Sequence, residues 1–115
     1  MRPGLLAWQW RDYAVKHRDR TNLLVHIVVV PLFQIGTLVL LYGLVARRPL
    51  VAVVAAVAML VSIVAQGRGH RRERELPTPF AGPGDGVTRL LVEQWVTFPR
   101  FVLSGGWTRN FQASR

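Results

Sequence analysis

The chain has 115 residues, half of them hydrophobic, and a formal net charge of +9 from fifteen Lys and Arg against six Asp and Glu. That length allows one domain, and so apolar a chain carrying so many cations fits a small membrane protein with basic ends better than a soluble globule. Cysteine is absent, which excludes disulfides and thiolate metal sites, so any metal must be held by nitrogen and oxygen.

Residues 5–17 are expected to form an amphipathic helix. Leu6, Trp10, Tyr13 and His17 recur on one face, and Trp8, Trp10 and Tyr13 suit the headgroup region of a bilayer. Trp8, Gln9, Trp10, Arg11 and Asp12 stand where a cleavable signal peptide would have its apolar core, so the hydrophobic segments are expected to be retained. Residues 22–46 are nearly unbroken apolar sequence, longer as a helix than the ~30 Å hydrocarbon core. Asp19 or Thr21 is the expected N-cap. Pro31 removes a donor from this helix and predicts a kink, with Gln34 available to satisfy a freed backbone group.

Arg47, Arg48 and Pro49 end the first span, and residues 50–66 form a second apolar run without charge, rich in the small residues that let membrane helices approach closely. Neither run has the polar stripe of a half-buried soluble helix, which is what a soluble helical hairpin, the competing reading, would need. Residues 77–86 are a Pro/Gly-rich stretch expected to be loop. Residues 88–103 are apolar but interrupted by Glu93, Pro99 and Arg100, as in an interfacial or re-entrant helix, and the tail from Ser104 is a cap or a loose end. The fold expected is therefore a single all-α domain. It is an integral membrane helical hairpin of two transmembrane helices, with an N-terminal amphipathic helix and a C-terminal interfacial or re-entrant one. Five cations precede the first span, two lie in the turn and eight follow the second, which puts both termini in the cytoplasm.

An antiparallel hairpin pairs the start of its first helix with the end of its second, and so brings the chain's three histidines, His17, His26 and His70, to one membrane face. Asn22 and His26, and Gln66 and His70, are four apart; His70 and Glu73 are three apart if the helix continues through Gly67 and Gly69. Three imidazoles and a carboxylate make a candidate metal site, with Asn22 and Gln66 as partners for the second imidazole nitrogens. Plainer roles stand beside this one. His17 has an interfacial role next to Tyr13, and His26 one as a hydrogen bond between helices. His70 belongs equally to a lipid-facing basic run with Arg68, Arg71, Arg72 and Arg74. Glu93 is accounted for by an i,i+4 pair with Arg89.

The spacings Tyr13-x3-His17-x4-Asn22-x3-His26-x4-Pro31 and Gln66-x2-Gly69-His70-x2-Glu73-x3-Pro77 resemble the Mpo-like family of small membrane proteins. Pro79-Phe80-x-Gly82-Pro83 and Glu93-Gln94-x3-Phe98-Pro99-Arg100-Phe101-Val102-Leu103-Ser104-Gly105-Gly106-Trp107 look like its bacterial branch. The resemblance implies an iron(II)-dependent dioxygenase of fatty acid α-oxidation in a bacterial inner membrane, converting a 2-hydroxy fatty acid and O₂ to a fatty acid one carbon shorter. It implies His17, His26 and His70 as Fe(II) ligands and Glu73 as a fourth ligand or catalytic base, with Asn22, Gln66 and Tyr13 around them. Arg71, Arg72, Arg74 and Arg100 are the candidates for the substrate carboxylate, Arg being well matched to it. The expected partners are a membrane lipid or fatty acid substrate and O₂, with no nucleic acid. Two alternatives remain open: a non-enzymatic membrane module whose basic ends bind anionic lipid or a partner protein, and a zinc-dependent lipid hydrolase.

Overall fold

A computed structural model describes residues 2–114, and among them every regular element is helical. A short helix α1 (Leu5–Arg11) is followed by a 3₁₀ turn (Ala14–Lys16) and two long helices, α2 (Arg20–Val45) and α3 (Pro49–His70). Helix α4 (Pro83–Val92) runs through a π-helical turn (Glu93–Thr97) into α5 (Phe98–Leu103), and α6 (Gly106–Ala113) closes the chain.

Both long helices are apolar and long enough to cross a membrane. Asp19 caps α2, its side chain accepting the Asn22 amide at 3.0 Å. The helix then continues unbroken through Pro31. At its other end Arg48 N–H reaches Gly43 O and Arg47 N–H reaches Leu44 O, the paired bonds of a Schellman motif. Pro49 then opens α3 at a position where its missing N–H costs nothing. Arg47 occupies the left-handed residue of that motif, with φ 55°, where glycine is the unstrained choice.

The two helices pack together along their length through small residues. Gly43 lies so close to α3 that a Cβ on it would stand 2.8 Å from the Ala52 amide nitrogen. On α3 the buried positions Ala52, Ala55, Ser62, Gln66 and Gly69, with half-buried Met59 between Ala55 and Ser62, recur every three or four residues and form the seam. Away from the seam the hairpin is uncovered: Val45 is 85% exposed, Leu50 75% and Val28 68%.

The remaining elements gather at the end of the hairpin opposite the Arg47–Arg48 turn, around a cluster of Tyr13, Leu23, Val30, Phe98 and Phe101. Two expected elements differ here. The helix expected over 5–17 ends at Arg11, and the chain turns through Asp12 into the 3₁₀ turn; Leu5 rather than Leu6 is buried, and Tyr13 and His17 face inward. The stretch expected as loop over 77–86 becomes helix from Pro83. Proline is tolerated at the first helical position, and the Asp85 carboxylate in the first turn accepts the Ala81 amide at 3.0 Å. The tail is helix α6, fastened by Trp107 Nε1–H to Leu23 O at 2.9 Å and by the Asn110 amide to Ala14 O and His17 O.

Replacing Arg47 by Gly should relieve the left-handed strain and stabilise the hairpin by about 1 kcal/mol. Thermal unfolding in detergent should show a higher midpoint; an unchanged or lower one would mean the turn is not under strain.

Candidate metal centre

Four side chains from four elements converge at the open end of the hairpin. His17 ends the 3₁₀ turn, His26 lies in the second turn of α2, His70 closes α3, and Glu93 begins the π turn. One ligand atom from each lies within 4.8 Å of the others. The three imidazole rings stand nearly perpendicular to one another, at 80–88°, with centroids 4.7–4.9 Å apart, as three ligands around a common point would.

The tautomers follow from the outer contacts. His17 Nδ1 lies 2.8 Å from Tyr13 O, and His26 Nδ1 lies 3.0 Å from Asn22 O. A carbonyl only accepts, so each Nδ1 carries the proton and each Nε2 turns a lone pair inward. Both Nε2 atoms, and Nδ1 of His70, are buried without a hydrogen-bond partner. Glu93 Oε2 stands 3.5 Å from His17 Nε2 and 3.9 Å from His26 Nε2. Those gaps are long for hydrogen bonds but near the ~3.4 Å edge of a tetrahedron of ligands at about 2.1 Å from a metal. Unpartnered buried polar atoms each cost about 1–3 kcal/mol. The donor set of His17, His26, His70 and Glu93 therefore fits a metal ion, which would satisfy all of them at once.

Tyr13 ties the carboxylate to the imidazoles. Its hydroxyl donates to Glu93 Oε2 at 2.8 Å, its carbonyl accepts from His17, and its ring stacks on the His17 ring at 3.8 Å. Burial first, and the Glu93 charge second, push the Tyr13 hydroxyl well above its ordinary pKa, so it stays a donor. Burial works to raise Glu93 as well, but the three imidazoles around it, His17 foremost, hold it down to about 2. It is therefore a carboxylate at neutral pH.

Glu93 was expected to pair with Arg89, and Glu73 to join the histidines; the structure reverses both. Arg89 turns away, donating to Thr78 O at 2.7 Å, Pro79 O at 3.2 Å and Asp85 at 3.4 Å. Glu73 accepts the Arg18 and Asp19 backbone amides at 2.9–3.1 Å and the Asn22 amide at 2.6 Å. It clamps the chain leading into α2 and is not among the side chains grouped with the imidazoles, because the turn after α3 carries it past the cluster. Asn22 serves His26 through its backbone carbonyl, while its side chain holds Glu73. Gly69 makes this possible, since a Cβ there would overlap Asn22 Oδ1.

Gln66 is likewise not an imidazole partner. Its amide and that of Gln94 exchange hydrogen bonds at 2.9 and 2.8 Å, pinning the π turn to α3. Gln34 pins it to α2. In the π turn Phe98 N–H reaches Glu93 O, five residues back, and the next amide would be that of Pro99, which has no N–H. Gln94 O is left open and takes the Gln34 amide at 2.7 Å. The five-residue turn also sets Phe98, 5.8 Å from the His26 ring, on the same side as Glu93. Spacing alone does not distinguish Glu93 from a partner of Arg89, and only the fold brings it to the histidines.

Two cavities adjoin the cluster, one of about 60 Å³ and one of about 230 Å³, and His70, Glu93, Gln9, Pro77 and Arg89 line both. None of the cations expected to meet a substrate carboxylate lines either. Arg71 and Arg74 are exposed, Arg72 pairs with Asp19 at 3.0 Å, and Arg100 stacks over Trp10 at 4.1 Å. The cations that do line them are Lys16 in the smaller cavity and Arg89 in both. Comparison with known protein families, with curated proteins and with solved structures finds no match for this chain.

The two carboxylates separate in a direct test. Glu93→Gln should lower bound metal, measured by elemental analysis, with little change in fold. Glu73→Gln should keep the metal but weaken the clamp on α2 by about 1.5–3 kcal/mol, seen as a lower unfolding midpoint. The reverse pattern would return Glu73 to the centre.

Proposed function

We propose that this chain is an iron(II)-dependent dioxygenase of the Mpo-like kind, embedded in a bacterial inner membrane, that shortens 2-hydroxy fatty acids by one carbon. One observation carries the reading: three buried imidazole nitrogens without partners meet an ionised carboxylate at one point. Three histidines and a carboxylate, with no thiolate, suit ferrous iron and would leave room on it for O₂ and one oxygen of the substrate. The motif resemblance supplies the substrate class. The uncovered apolar flanks of α2 and α3 favour insertion, because a soluble protein would have to solvate them. The four cations before α2 and seven after α3, with Arg20 and Arg68 in the end turns of those helices, favour both termini on the cytoplasmic side.

The overall reaction balances without an external reductant. The bond between the carboxyl carbon and the hydroxyl-bearing carbon breaks, the carboxyl carbon leaves as CO₂, and the remaining carbon becomes the new carboxyl. Electrons released by the acid reduce O₂, giving one net water. Iron, held by His17, His26, His70 and Glu93, would supply the one-electron steps that O₂ needs to react with an ordinary acid. The chain's own part is to keep that point dry and its ligands fixed. Tyr13 holds Glu93 and His17 together, and Phe98 and Phe101 close the side away from the cavities.

Protein purified anaerobically should contain iron near one equivalent and take up O₂ with a 2-hydroxy fatty acid, releasing the acid one carbon shorter. His26→Ala should lose both iron and uptake. Zinc without uptake would point to hydrolysis instead. Absence of metal and uptake would leave a membrane module whose exposed Arg71 and Arg74 hold anionic lipid.

A further inference from the structure

We infer that the larger of the two cavities beside the cluster is an acyl-chain groove, that Gly67 sets how much chain it admits, and that Arg89, with Lys16 in the adjoining smaller cavity, receives the carboxylate at its metal end. The inference rests on the fatty-acid reading above and assigns residues to it that the sequence did not.

The groove of about 230 Å³ is walled by Ile63 and Gly67 of α3 on one side and by Phe80 and Leu90 on the other. His70 and Glu93 stand in its wall, so a chain lying in it ends at the cluster. Ile63 and Gly67 precede His70 by about two turns and one turn of helix, so the groove leads from the cluster toward the middle of the apolar hairpin. Gly67 is exposed, and a Cβ built on it meets nothing within 4 Å. Neither helix packing nor turn geometry requires glycine there. What its missing side chain does is leave the groove open beside the helix.

The charged end has a matching pair of cations. Arg89 is 7% exposed and held between the Trp8 ring at 4.9 Å and the Phe80 ring at 4.6 Å. Its two terminal nitrogens are engaged, but its Nε–H is buried without a partner. A guanidinium so deeply placed, with a spare donor and lining both cavities, suits a carboxylate ligand. Lys16 lines the smaller cavity with His17 and His70, its ammonium resting on Asp12 at 3.0 Å and Thr78 at 3.1 Å. Cations at the metal end and apolar walls beyond match a single-chain acid lying head to the metal and tail to the lipid.

The test uses full-length, metal-free protein in lipid nanodiscs and a 2-hydroxy fatty acid carrying a diazirine in its tail. Photolysis and peptide mapping should place adducts on Ile63, Phe80 or Leu90. Gly67→Leu should reduce them about tenfold, and Gly67→Ala should reduce them less. Labelling spread over the rest of the hairpin, or undiminished in Gly67→Leu, overturns the groove. In iron-loaded protein, Gly67→Leu should lose long-chain turnover about tenfold while keeping its iron and its turnover of 2-hydroxybutyrate. Lys16→Gln should raise KM for both acids. Equal loss on both acids in Gly67→Leu overturns the assignment of Gly67. Wild-type protein that is labelled in the groove but takes up no O₂ defeats the dioxygenase reading alone.

Discussion

The structure turns on imidazole lone pairs that have been taken out of water and aimed at one place. His17 and His26 each give their Nδ1 proton to a backbone carbonyl, which leaves Nε2 as an acceptor with no protein donor in reach. Such an arrangement is costly unless something electron-poor stands between them. The second nitrogen of each ring is what makes the first one a ligand, and the carbonyls that bind it belong to Tyr13 and Asn22, four residues before each histidine. The local chain path, an α-helical turn before His26 and a 3₁₀ turn before His17, therefore sets the orientation of both rings.

The parts around this point act to hold the helices at fixed heights. Glu73 gathers the amides ahead of α2. Gln94 carries three ties, two to Gln66 and one through its carbonyl to Gln34, and so fixes the π turn against both long helices. The Ser62 hydroxyl donates to Val29 O and accepts from Gln66, extending the same chain of bonds across the seam. In an apolar setting such polar links have few competitors and constrain register strongly. The irregular π turn persists because the open carbonyl it shares with Pro99 is satisfied from outside the segment.

The hairpin and the site divide the molecule by chemistry. Beyond the first turns of α2 and the last turns of α3 the exposed residues are nearly all apolar, while the cations collect at the site end and at the Arg47–Arg48 turn. On the proposed reading, a ligand coming from lipid would meet the groove beside Gly67 before the histidine cluster. A water-borne one meets Lys16 and Asp12. The site sits where both approaches join, which is the place an amphiphile would present its head.

Much of this was legible in the sequence. Two uninterrupted apolar runs, an Asp cap and an Arg-Arg-Pro turn mark the long helices because their signals are local, and helical spacing singles out His26 and His70. Three other features needed the folded chain. Residues 5–17 carry a helical pattern, yet burial of Tyr13 and His17 against α2 and α5 breaks it after Arg11. Glu73 has the better spacing to His70, but two backbone amides ahead of α2 claim it. Glu93 has an adequate neighbour in Arg89 along its own helix, and only the packing of the π turn between α2 and α3 turns it to the histidines. The sequence by itself determined which groups were available to bind a metal and roughly where the helices run. Which carboxylate reaches the imidazoles was decided by tertiary structure, because ligand geometry is set by contacts between elements some seventy residues apart, as between His17 and Glu93, and no local periodicity encodes them.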